Sequence, residues 1–129
     1  MNTKQIAQKF VDAFQAFDTN SIERLMATNA VNYVTNAKGG TDRVDGAHAY
    51  AERFQAMQRT NVEFSLTVTQ MVQPRPDQVM LMIEVHAHRP GKTLHNFAGF
   101  LITVNAEAKI TETWMVDARP QESDTFWLG

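Results

Sequence analysis

The chain has 129 residues, 12 Lys plus Arg against 14 Asp plus Glu for a net charge of −2, and no cysteine. That length suits a single domain, residues 1–129, built on one hydrophobic core. The charge balance gives no electrostatic footprint for nucleic acid or an anionic membrane, and without Cys there is no disulfide framework, thiol nucleophile or thiolate metal site.

Ile6, Phe10, Phe14 and Phe17 recur at helical spacing, so a helix with a broad aromatic face is predicted from Lys4 to Phe17. Asn20-Ser21-Ile22-Glu23 has the form of a capping box and opens a short second helix carrying Ile22, Leu25 and Met26. Ala30-Val31-Asn32-Tyr33-Val34 has strand-forming content, and Lys38-Gly39-Gly40-Thr41-Asp42 reads as a loop. Asp45-Gly46 opens a third helix with Ala47, Tyr50, Phe54 and Met57 on its apolar side.

The period then changes to two. Val62, Phe64, Leu66, Val68 and Val72 alternate with polar residues until Pro74-Arg75-Pro76-Asp77 breaks the strand. Val79–His88 and Thr93–Val104 flank Arg89-Pro90-Gly91-Lys92 as a hairpin, and Asn105–Ala108 turns the chain into a last strand, Lys109–Asp117. The tail runs through polar residues to Phe126, Trp127 and Leu128, and the first two are expected to pack back on the body or across a dimer. No apolar run approaches the roughly 20 residues needed to span a bilayer, and Met1-Asn2-Thr3-Lys4 leads directly into an amphipathic pattern, so a soluble, cytoplasmic protein is expected.

Three helices with one interposed strand, followed by four antiparallel strands, define an α+β domain with helices on one face of a sheet. In the order of its parts the chain resembles the nuclear-transport-factor-two-like superfamily, and within it the SnoaL-like polyketide cyclases and the ketosteroid isomerases. The likeness runs through the Phe-rich first helix into Asp18-Thr19-Asn20-Ser21-Ile22-Glu23-Arg24-Leu25, the Val44-Asp45-Gly46-Ala47 entry to the third helix, and the Ala108-Lys109-Ile110 turn. It implies a cone-shaped half-barrel: a strongly curved antiparallel sheet whose concave face is covered by three N-terminal helices. It also implies which residues face inward: Ile83, Val85 and Ala87; Asn96, Ala98, Phe100, Ile102 and Val104; and Thr111, Thr113, Met115 and Asp117.

Asp117 ends an apolar strand on a carboxylate, which must reach water, be paired or do chemistry, because burying it alone is costly. One reading makes it the acid/base of an apolar pocket, as the last-strand Asp of SnoaL-type cyclases implies. The other makes it a cap for the loop before Arg119-Pro120, paired with Arg119. Tyr33 is the candidate catalytic hydrogen-bond donor, although Asn32 has opposite strand parity and at most one of the two can face the pocket. Asn96, Phe100, Met115, Thr113, Val85 and Tyr50 are the candidate ligand contacts. The ketosteroid isomerases do not match in detail, since their base falls near Val34, their oxyanion-hole Asp at Phe100 and their phenolic donor near Ala13.

With an even hairpin loop, His86 faces His95 directly, and His88 and Glu84 share that sheet face. The implied register turns this cluster to the convex side with Phe97, Leu101 and Trp114, so it is assigned to a homodimer interface and no metal or other cofactor is expected. Phosphate-binding loop, nucleophile elbow and dinucleotide fingerprint are all absent from the sequence. The expected function is binding of a small hydrophobic molecule, with cofactor-free isomerase, cyclase, dehydratase or hydrolase chemistry at Asp117; the alternative is a non-catalytic ligand-binding or dimerisation module.

Overall fold

A computed structural model describes residues 1–57 and 62–128. In chain order these form α1 (Thr3–Gln15), α2 (Thr19–Leu25), β1 (Met26–Thr35), β2 (Thr41–Asp45), α3 (Ala47–Gln55), β3 (Glu63–Arg75), β4 (Gln78–Arg89), β5 (Lys92–Val104), β6 (Ile110–Asp117) and α4 (Pro120–Leu128). No helix among them is long and apolar enough to cross a membrane.

Helix α1 buries Ile6, Ala7, Phe10, Val11 and Ala13 along one side. Its start is a capping box in which Asn2 accepts the Gln5 amide at 2.8 Å and Gln5 accepts that of Asn2 at 2.9 Å. It stops two residues before the predicted end. Ala16 is the C-cap and Phe17 turns left-handed at φ 52°, while Phe17 N–H donates to Phe14 O (3.1 Å) and Asp18 N–H to Ala13 O (2.9 Å). These two bonds make a Schellman motif with a phenylalanine where glycine usually sits. The ring explains the choice, since it stacks on Phe54 at 5.2 Å and meets Phe64 and Trp127 at 5.2 and 6.0 Å.

The cap of α2 is Asp18, not Asn20. Its carboxylate accepts the Ser21 amide at 3.1 Å and the Ser21 hydroxyl at 2.6 Å, and these bonds hold its pKa below the ordinary carboxylate value. Met26, read as helical, begins β1 and is buried there. Helix α3 enters through Gly46, whose φ of 95° disfavours any side chain and whose N–H donates to Ala30 O at 2.7 Å.

The sheet is curved and unclosed, in the order β2-β1-β6-β5-β4-β3. Neighbours are antiparallel except β1 and β6, which run parallel with Asn32 opposite Thr113 and Tyr33 opposite Trp114. Strand β2 was expected as loop at its start; Thr-Asp-Arg-Val-Asp has one apolar residue and forms an edge strand through its ladder to β1. Pro90 and Gly91 make a two-residue hairpin loop, Gly91 at φ 79°, so His86 pairs with His95 as the even loop requires.

Inward alternation holds along β4 and β5, where Val79, Leu81, Ile83, Ala87, Leu94, Asn96, Phe100, Ile102 and Val104 are buried. Register shifts break it elsewhere, and two of them change which residues face inward. Between Val68 and Gln70 the register against β4 slips, which turns Met71 inward and leaves Val72 exposed, against expectation. On β6, Val104 pairs with Ile110 but Thr103 with Glu112, so Thr111 is the extra residue and Ile110 takes its inward place. The tail forms α4, a fourth helix that was not predicted. Phe126 and Trp127 pack with Ala87 and Leu94 on the body as expected, while Leu128 is exposed.

Candidate active site

Between the helices and the concave sheet lies a cavity of about 110 Å³. Phe10, Val11 and Phe14 of α1 form one wall with Phe17, and Phe54 of α3 joins them. Phe64, Leu66, Ile83, Val85, Leu94, Ala98, Phe100 and Met115 form the sheet side, Trp127 closes from α4, and Met57 lies just past the end of α3. The aromatic rings interlock: Phe10 meets Phe14 edge-on at 4.8 Å and Phe100 at 5.8 Å, and Phe14 meets Phe54 at 4.5 Å. The polar part of the lining is Asn96, Asp117 and Ser123.

Asp117, at the end of β6, is half-buried and lines this cavity with one carboxylate oxygen already engaged. Its Oδ1 accepts the Asn96 amide at 2.7 Å and the Arg119 backbone N–H at 2.8 Å. No hydrogen bond among the described residues reaches Oδ2. Asn96 is 3% exposed and fully committed: its amide nitrogen also donates to Ser123 Oγ at 2.7 Å and Arg119 O at 3.3 Å, and its carbonyl accepts Phe97 N–H at 2.8 Å. The expected Asp117–Arg119 pairing is made through the backbone, since the Arg119 guanidinium goes to the His95 carbonyl at 2.9 Å. The cavity lining therefore combines an aromatic wall with a carboxylate held through one of its two oxygens, which is an arrangement suited to moving a proton.

Of the predicted contacts, Asn96, Phe100, Met115 and Val85 line the cavity with Asp117. Tyr33 does not. Its ring lies on the convex side, stacked on Trp114 at 4.0 Å with Arg43 above it at 5.9 Å, so it cannot polarise a ligand beside Asp117. Asn32 takes the inward position and is fully buried, but it is spent on structure: it accepts the Thr113 hydroxyl at 2.6 Å and donates to Val44 O at 3.3 Å. Thr113 thus lies behind the cavity lining. Tyr50 is core, 6.2 Å from both Phe10 and Phe14, and burial pushes its phenol far above the ordinary value. Ser123 and Trp127 were missed as lining; the apolar end of the tail was the available signal for Trp127, and nothing local marks Ser123.

A wider depression of about 660 Å³ lies between α2, the start of α3 and the 105–109 turn. It is a basin of mixed polar and apolar lining that includes Glu23, Arg24, His48, Glu107 and Lys109. The aromatic-walled cavity fits the usual character of a small-molecule site better. Glu84, His86 and His95 lie on the opposite, convex side of the sheet, as the register implies.

A curved, unclosed sheet around an apolar cavity with a carboxylate at one end defines the cone-shaped α+β class of the nuclear-transport-factor-two-like superfamily. The chain belongs to the SnoaL-like domain family, which it matches over residues 7–113. Among solved structures it is similar to a protein of unknown function with a cystatin-like fold from Xanthomonas campestris, at 21% identity, 98% of both chains and a TM-score of 0.76. It is also similar to a Mycobacterium tuberculosis LEH-like epoxide hydrolase, at 15% identity, 96% of this chain, 90% of that one and a TM-score of 0.73. A third, Mycobacterium tuberculosis RV0760c in complex with estradiol-17β-hemisuccinate, has 21% identity over 89% of this chain and 93% of that one, with a TM-score of 0.70. At these identities the likeness establishes the fold. No curated protein gives a significant match to the chain.

Proposed function

We propose that the protein binds a small, largely apolar molecule in the aromatic-walled cavity and acts on it by cofactor-free acid/base chemistry at Asp117. The observation that carries this reading is the asymmetry of the carboxylate, with Oδ1 doubly bonded and Oδ2 without a hydrogen bond among the described residues, on a side chain that lines an aromatic-walled cavity. The reaction classes in keeping with one carboxylate are isomerisation, aldol-type cyclisation, dehydration and hydrolysis. Neighbours of the same fold that are named for epoxide hydrolysis or solved with a steroid derivative support a ligand-binding role. At about 110 Å³ the cavity is smaller than the ~150 Å³ that accommodates benzene, so a ligand larger than one ring fits only by extending out of it or by displacing part of its wall.

The alternative is a binding module without turnover, and Asp117→Asn separates the two. Wild type and variant are screened against small cyclic carbonyl, epoxide and lactone compounds by binding and by turnover. On the enzyme reading the variant keeps its affinity and loses on the order of 10²-fold or more in kcat. Compounds that bind wild type with no conversion of any assign the binding module.

We further infer a homodimer through the convex face. Tyr33, Trp114, Leu101, Met80 and Val72 stand side by side across five strands, with Val116 and Met82 in the next row. Met80, Met82, Trp114 and Val116 are each at least 39% exposed, which is an apolar patch in keeping with self-association. Sedimentation should give a doubled protomer mass for wild type and a monomer for Trp114→Asp; a monomeric wild type removes the interface.

A further inference from the structure

On the convex face the hairpin β4–β5 places His86 directly opposite His95, and their imidazole rings stack 4.4 Å apart at 7° from parallel. Glu84, two residues before His86 on the same face, brings one oxygen to both. Its Oε2 is 2.7 Å from His95 Nε2 and 3.3 Å from His86 Nε2. Three ligand-type atoms from three side chains thus converge within 4.8 Å of one another, on paired strands that cannot shear without breaking their ladder.

We propose that Glu84, His86 and His95 form a site for one divalent transition-metal ion of the zinc class. Around such an ion, with bonds near 2.0–2.1 Å, tetrahedrally placed ligand atoms stand about 3.3 Å apart. The His86 separation from Oε2 (3.3 Å) equals that value and the His95 separation (2.7 Å) is shorter, so an ion entering the cluster pushes Oε2 and the His95 nitrogen apart by rotation of their side chains. Two neutral imidazoles and one carboxylate are a donor set that such ions favour over magnesium or calcium. At half exposure or near it, both histidines leave the remaining positions open to water or to an external ligand.

The comparison with His48 shows what is particular here. His48 also touches two carboxylates, Glu23 at 3.1 Å and Glu52 at 2.8 Å, but through opposite ring nitrogens, so those ligand atoms diverge and cannot share an ion. The site is independent of the aromatic-walled cavity and of any reaction at Asp117.

The test is titration of the full, tag-free chain with Zn²⁺ alone by calorimetry, repeated with Co²⁺ for its visible d–d bands. Wild type should bind saturably at no more than one ion per chain. His95→Ala, His86→Ala and Glu84→Gln should each weaken binding by more than about tenfold, the least that loss even of a supporting partner costs a metal site. His48→Ala should leave it unchanged. Circular dichroism checks that each variant is folded; Glu84→Gln keeps size and shape. Absence of saturable binding, or binding that survives His95→Ala and Glu84→Gln, overturns the site and leaves a hydrogen-bonded carboxylate between stacked rings.

Discussion

The Asn96 amide nitrogen lies 2.7 Å from Oδ1 of Asp117 and, with the Arg119 backbone N–H at 2.8 Å, engages that one oxygen of the carboxylate. Asn96→Asp replaces the donor with a second carboxylate at the same distance, and two such groups cannot both ionise. The pair should titrate with one apparent pKa well above the ordinary carboxylate range. The folded variant then holds a proton that the unfolded chain releases, so its stability falls as pH rises through that raised pKa. Urea midpoints should show a larger deficit against wild type at pH 8 than at pH 5.

Phe17 inverts the usual order of helix-end substitutions. At φ 52° an L-residue carries a steric cost of about 1–2 kcal/mol that glycine does not. Phe17→Ala and Phe17→Gly both lose the stacking on Phe54, Phe64 and Trp127, but the glycine variant should be the more stable by about 1 kcal/mol. Thermal or urea unfolding of the two variants measures the difference. Equal stabilities, or alanine ahead, contradict the left-handed assignment.

Asn32 and Thr113 form a buried pair across the parallel strands. Removing one partner strands the other, so Asn32→Leu or Thr113→Val alone should cost about 1–3 kcal/mol. The double variant should cost less than the sum by about 1 kcal/mol or more in a double-mutant cycle. An additive result would show that the two side chains contribute separately.

His48 provides a pH signature away from the cavity. Its pKa is raised above 6.5, first by the hydrogen bond to Glu23 and then by the charges of Glu23 and Glu52. A raised imidazole pKa stabilises the fold fully below the unfolded value of 6.5, and this contribution is lost as pH rises through the folded pKa. The stability gap between wild type and His48→Gln should therefore close on going from pH 5.5 to pH 8.5. A gap that is flat over that range shows the contacts carry no linkage.

Phe126 is 2% exposed although it lies on the last helix. Phe126→Ala should cost about 3–5 kcal/mol, as for a core phenylalanine, and lower the melting temperature accordingly. No shift would show α4 to be undocked in solution.

The cavity side of β4, β5 and β6 was legible through the family resemblance, whose inward register the apolar alternation of β4 supported, and Val85, Asn96, Phe100, Met115 and Asp117 do line one cavity. On β1 the hydropathy runs against the burial. Ala30, Asn32 and Val34 face inward while the aromatic Tyr33 faces out, so parity could not choose between Asn32 and Tyr33 until the partner strand supplied the buried Thr113 hydroxyl. The bulges at Thr69 and Thr111 leave no local mark; the first changes the facing of Met71 and Val72 after it, the second that of Ile110 before it. Helix α4 reads as polar tail because its burial comes from residues far away in the chain, Ala87 and Leu94 among them.

The parallel seam between β1 and β6 has a consequence for synthesis. Asn32 and Thr113 are 81 positions apart, so everything from β2 to β5 leaves the ribosome before β1 can gain its second neighbour. During that interval two strand edges stand open, one on β1 and one on β5, and β6 later fills the gap between them. Closing so long a loop is slow, and the same vacant slot in one nascent chain accepts the last strand of another. Exchange of β6 between copies is thus the misassembly to which this topology is most exposed.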